Sequence, residues 1–148
     1  MIDLDNVRAR RRKCPCHLVV GAKSLDDPEL LRAISSMIQA GGELCGACKA
    51  LCAVLADSAC RCCRAMDAAR SIHDPLLEAA VIATFAAGEE LCRYCVAKAD
   101  VLEMADLQRE RGTSESLARS ERLTQFAQSS RYYAPEAFRI AARSILAA

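Results

Sequence analysis

Tryptophan is missing from this chain of 148 residues, and aromatic side chains make up only 4% of it, so Ala, Leu, Ile, Val and Cys have to fill the interior. Small fillers of that kind suit closely packed helices. Net charge is nearly missing as well: 20 basic residues face 19 acidic ones, for a balance of +1. Such a balance makes no large field and gives no global reason to expect nucleic acid as a partner. No apolar run approaches the roughly 20 residues that a membrane-spanning helix needs. Met1-Ile2-Asp3-Leu4-Asp5 places charges where a signal peptide needs an apolar stretch. The expectation is a soluble, cytoplasmic protein with no membrane partner. Alternating apolar runs are also lacking, which argues against strands. There is no P-loop, no GxGxxG, no HExxH and no Ser/His/Asp set, so an enzyme reading has no base or nucleophile to stand on.

What the chain has in excess is cysteine, ten in all, and it repeats itself around them. Asp27-Pro28-Glu29-Leu30 through Ala40-Gly41-Gly42-Glu43-Leu44-Cys45-Gly46-Ala47-Cys48 is echoed by Asp74-Pro75-Leu76-Leu77 through Ala87-Gly88-Glu89-Glu90-Leu91-Cys92-Arg93-Tyr94-Cys95, at a constant offset of 47 residues. Each copy combines a helix start, an apolar stripe and a thiol pair. In a reducing compartment ten thiols are not a disulfide scaffold, which leaves thiolate chemistry or packing.

The fold class these signals predict is all-α, an antiparallel helical bundle of four-helix type. Two long duplicated helices are expected, followed by two shorter C-terminal ones. Asp27 and Asp74 serve as N-caps, each with Pro at the first helical position. The first helix is read from Asp27 to about Ser71, bent or interrupted at Gly41-Gly42, and the second from Asp74 to Gly112. Thr113 or Ser114 opens the third, with Leu117, Leu123 and Phe126 on its apolar side. Pro135 opens the fourth, which docks Phe138, Ile140, Ala141, Ile145 and Leu146. Residues 1–26 read as a basic, cysteine-containing arm, and 27–148 as one bundle domain.

At about 100° per residue, Cys45, Cys48, Cys52, Cys60 and Cys63 share one helical arc with Leu44, Leu51 and Met66 on its flank. On the second helix Leu77, Val81, Phe85, Gly88, Cys92, Cys95, Ala99 and Leu102 form a stripe. Straight antiparallel helices hinged near residues 72–73 would set Cys52 level with Cys92 and Cys95, with Cys48 about one turn away. The predicted constellation is Cys48, Cys52, Cys92 and Cys95, extended along the axis by Cys45, Cys60 and Cys63. A ladder of that many sulfurs favours Cu(I), a soft ion of low coordination number, while the central four also suit zinc. Binding must displace thiol protons and is therefore pH dependent.

Cys45-Gly-Ala-Cys48, Cys48-Lys-Ala-Leu-Cys52, Cys60-Arg-Cys62-Cys63 and Cys92-Arg-Tyr-Cys95, on an Ala-rich helical background, resemble the copper storage proteins over residues 28–111. Those are cysteine-lined four-helix bundles that hold many Cu(I) ions. The resemblance implies Cu(I) storage or buffering in a bundle core. Family members line all four helices with thiols, whereas residues 96–148 here have none, which favours a smaller cluster or one zinc site. The alternative is a helical interaction or scaffold protein that uses cysteine for packing and associates with itself.

Several features stand outside this scheme. Cys14-Pro15-Cys16-His17 on the arm reads as either an entry ligand set or a cluster without function. His73 reads as a turn residue. The run Arg8, Arg10, Arg11, Arg12, Lys13 reads as a solvated basic arm, and Tyr132-Tyr133 as a pin for the last helix. The CxxC pairs read as lying mid-helix, which sets them apart from thioredoxin-like redox pairs.

Overall fold

The computed structural model describes residues 14–40, 42–55, 59–129 and 135–147. Every regular element among them is helical: α1 Cys16–Gly21, α2 Pro28–Gln39, α3 Gly46–Leu55, α4 Cys63–Ala68, α5 Pro75–Ala86, α6 Arg93–Arg111, α7 Ser114–Ser129 and α8 Pro135–Ala147. Arg8 to Lys13 and Tyr132-Tyr133 lie outside the described residues.

The two Asp-Pro starts form as the sequence implies. Asp27 Oδ1 accepts from the backbone N–H of Glu29 and Leu30 at 3.0 and 3.2 Å. Asp74 Oδ1 accepts from Leu76 and Leu77 at 2.9 and 3.4 Å. These caps satisfy N–H groups that the helix itself leaves open.

The long duplicated helices do not form. Each copy stops after its Asp-Pro helix, and in the second the glycine that follows reverses the chain. Gly88 sits at φ +73°, and the Glu89 N–H reaches back to the Thr84 carbonyl at 3.1 Å. In the first copy the Gly42 N–H reaches the Met37 carbonyl at 2.9 Å, the same bond 47 residues earlier. This 6→1 bond closes a helix with glycine in the left-handed region. Instead of two rods, each copy is a chain of three helices: α1, α2 and α3, then α4, α5 and α6. Each of these starts 47 residues after its counterpart.

The duplication therefore reaches back to Cys16 and includes the turn before the Asp-Pro cap. Ser24 Oγ accepts from the Asp26 N–H and Ser71 Oγ from the His73 N–H, both at 3.1 Å. Residues 14–26 are correspondingly not an extended arm. Val19 and Leu25 are buried beside Leu30, Ile34 and Met37.

Gly112, at φ +70°, ends α6 and turns the chain within two residues into α7, which runs back along α6 with Ser120 Oγ donating to the Ala105 carbonyl at 2.8 Å. Helix α8 packs on α2, α6 and α7. A second group of buried residues, including Met66, Leu77, Leu102, Leu123 and Phe138, fills the space between α4, α6, α7 and α8. Burial of each such side chain contributes about 1.5–3 kcal/mol. Phe126 touches both cores and stacks on Phe138 with ring centroids 4.7 Å apart. Of the expected stripe on the second helix, Leu77, Cys92, Cys95 and Leu102 are buried, but Phe85 is 57% exposed because α5 ends beside it and packs chiefly on α4.

Candidate metal centres

The break after each Asp-Pro helix changes where the thiols lie. Cys45 and Cys92 immediately precede α3 and α6, and Cys48 and Cys95 follow in the first turn. Cys45 and Cys92 accept the first helical hydrogen bonds through their carbonyls, from Lys49 at 2.9 Å and Val96 at 3.1 Å. Both CxxC pairs thus occupy helix N-termini, where unpaired N–H groups and the helix dipole favour thiolate. The mid-helix reading is corrected on this point. Among the described residues no sheet lies beside them.

Two sets of four sulfurs result. Cys14, Cys16, Cys45 and Cys48 form one, and Cys60, Cys63, Cys92 and Cys95 the other. Within each set all four Sγ atoms lie within 4.8 Å of one another. In the first, Cys16 Sγ is 3.7 Å from Cys45 Sγ, and the Cys45 N–H donates to Cys14 Sγ at 3.3 Å. In the second, Cys60 stands 3.7 Å from Cys63 and 3.5 Å from Cys95, while Cys63 stands 3.6 Å from Cys92 and 3.5 Å from Cys95.

The thiols within a set are not equivalent. Hydrogen bonds from the Cys48 backbone N–H and thiol pull Cys45 down to about 7. Burial pushes Cys60 up, but the backbone N–H groups of Cys92 and Cys62 and the Cys95 and Cys63 thiols outweigh it, and Cys60 also falls to about 7. Burial is the leading influence on Cys14 and Cys63, which rise to about 11, and it likewise raises Cys48 and Cys95. Cys45 and Cys60 therefore ionise near neutrality, beside Cys14 and Cys48 in the first set and Cys63 and Cys95 in the second, which keep their protons until a cation displaces them.

The predicted constellation of Cys48, Cys52, Cys92 and Cys95 is divided by this geometry. Cys48 joins Cys45 in the first set. Cys92 and Cys95 join Cys60 and Cys63 in the second. Cys52 belongs to neither set; it is fully buried in the core shared with Ile34 and Met37. The expected facing of Cys52 and Cys92 required straight helices, and the glycine stops remove that condition. Cys14 and Cys16, left on the arm by the sequence reading, are brought in as partners of Cys45 and Cys48. The signal that could have found them is the repeat itself, since Cys16 lies 47 residues before Cys63. Cys62 is buried outside the second set, where burial leads the rise in its pKa. His17 and His73 are exposed and join neither set.

Polar side chains brace the second set. Tyr94 donates its hydroxyl to Asp67 Oδ1 at 2.7 Å, and buried Lys98 approaches the same oxygen at 3.3 Å with its ammonium 5.3 Å from the Tyr94 ring centre. Arg61 pairs with Glu89 at 3.0 Å, tying the turn before α4 to the turn before α6. Arg93 pairs with Asp26, linking the two copies.

The described chain is thus an all-helical protein with two four-cysteine sites able to take a metal ion. No protein-family model, curated protein or solved structure matches it. Among the described residues no helix is long and apolar enough to cross a membrane.

Proposed function

We propose that the chain is a zinc-stapled helical scaffold, with one Zn²⁺ in each four-thiolate set. The supporting observation is the sulfur spacing. Four thiolates about 2.3 Å from a tetrahedral zinc lie ~3.8 Å from one another; the short sulfur contacts, one in the first set and four in the second, run from 3.5 to 3.7 Å, and every pair in a set lies within 4.8 Å. Four sulfurs from two short segments leave no open coordination position for a substrate, so the metal's role is structural and not catalytic. It fastens the turn before α1 to α3, and the turn before α4 to α6. What the scaffold presents is a helical surface on which Leu76, Ile82 and Phe85 of α5 are exposed. A reducing, cytoplasmic setting belongs to this reading, because oxidised sulfurs would not ligate.

Cu(I) storage or buffering, as in the copper storage proteins, is the second reading. Two further buried thiols, Cys52 and Cys62, favour it, since a soft ion can recruit sulfurs beyond a tetrad. Metal analysis of the purified, reduced protein separates the two. The zinc reading expects two equivalents of zinc per chain, and Co(II) in their place with the absorption of a tetrahedral thiolate site. More than four equivalents of Cu(I) held against a competing chelator would replace it with storage. Retention of no metal would leave only a scaffold with packed cysteines.

A further inference from the structure

The two sulfur sets are chemically alike and differently housed. In the first, Cys16 is exposed and Cys45 half-buried, while in the second only Cys60 is half-buried and Cys63, Cys92 and Cys95 are inside. The second set sits against the main core, between α4 and α6, and Tyr94, Lys98 and Arg61 cross-link the two sides independently of sulfur. No such brace joins the two sides of the first set among the described residues. Among the described residues, the hydrogen bonds from Cys14–Gly21 to anything beyond its own C-cap residue Ala22 pass through the sulfurs of Cys14 and Cys16. Helix α1 has only six residues, packs chiefly on α2 and α3, and inserts only Val19 fully. A helix of that length does not persist without tertiary support.

We infer that the N-terminal centre is the exchangeable one. A metal at Cys14, Cys16, Cys45 and Cys48 trades with solution, while the metal at Cys60, Cys63, Cys92 and Cys95 stays. Departure of the first frees Cys14–Gly21 from α3 and leaves the rest of the fold in place. The inference rests on the reading of both sets as metal centres. Its physical basis is access, since thiolate exchange needs an incoming ligand or proton to reach the metal or a sulfur, and only the first set turns an exposed cysteine outward. The chain then carries a metal-dependent clasp on its N-terminal segment, set by the availability of free zinc.

Protein loaded with two equivalents of zinc and mixed with excess chromophoric chelator at neutral pH should release them in two phases of one equivalent each. The faster should be at least about tenfold quicker than the slower, as expected for a locally opening site beside a globally protected one. Cys16→Ser, a change at an exposed position, should remove the fast phase and keep the slow one. Hydrogen exchange in that variant should accelerate across Cys16–Gly21 and stay unchanged across Arg93–Arg111. Release of both equivalents in one phase, or a fast phase that survives Cys16→Ser, would overturn the inference and leave the two-zinc reading intact. Failure to load any metal would remove both.

Discussion

Single sulfurs differ most in how easily they lose a proton, and the metal-free protein should display that order. Cys45 and Cys60, both held at about 7, are mostly thiolate at pH 8 and mostly thiol at pH 6. Alkylation there, followed by peptide mass mapping, should slow roughly tenfold per unit below pH 7. Cys14 and Cys63, at about 11, should remain slow throughout that range. Cys52→Ala should leave metal stoichiometry unchanged and cost about 1–2 kcal/mol in urea unfolding, the penalty of a small core cavity. Loss of one metal equivalent in that variant would return Cys52 to the ligand set. At this scale the sequence marked Cys45, Cys48, Cys60, Cys63, Cys92 and Cys95 as candidate sulfurs by helical periodicity, but it set them in one row with Cys52 and did not divide them into two sets. It was not legible for Cys14 and Cys16, because a CxC on a basic stretch carries no helical period and its meaning depends on which chain segment folds onto it.

The helices opened by Asp-Pro began where the sequence said but stopped short, at Gln39 and Ala86, whereas Gly112 closes α6 as expected. Asp-Pro at 27–28 and 74–75 is a local signal, answered by hydrogen bonds within three residues. The glycines after Ala40 were open to two readings, a bend or a stop, and Gly88 was read into a continuous stripe; backbone bonds such as Glu89 to Thr84 decide for the stop. That single difference moved both CxxC pairs to helix N-termini. Gly88→Ala would force a side chain into the left-handed region and should cost about 1 kcal/mol in thermal or urea unfolding. It should also disturb zinc affinity at the second centre more than at the first, because Cys92 follows four residues later. Equal effects on both centres would show that the stop does not position Cys92.

For the whole molecule, metal and fold should be linked. Most of the thiols must surrender protons to bind, so zinc affinity should fall as pH falls, and stability measured with metal present should drop toward that of the metal-free protein below neutrality. Calorimetry at pH 8 and pH 5.5, with and without chelator, checks this: the gap between the two traces should be wide at pH 8 and narrow at pH 5.5. A gap independent of pH would exclude thiolate ligation. The all-helical class was readable from composition, whereas the division into two cores was not, since it depends on which helices pack together in space, with Phe126 touching both groups. The spacing of the ligands along the chain sets the order of assembly. Cys16 and Cys45 are separated by 29 residues, and so are Cys63 and Cys92, with every sulfur of a set inside its own copy. On the two-zinc reading, the first unit can close around its cation during synthesis before the second has left the ribosome, and neither has to wait for the C-terminal helices.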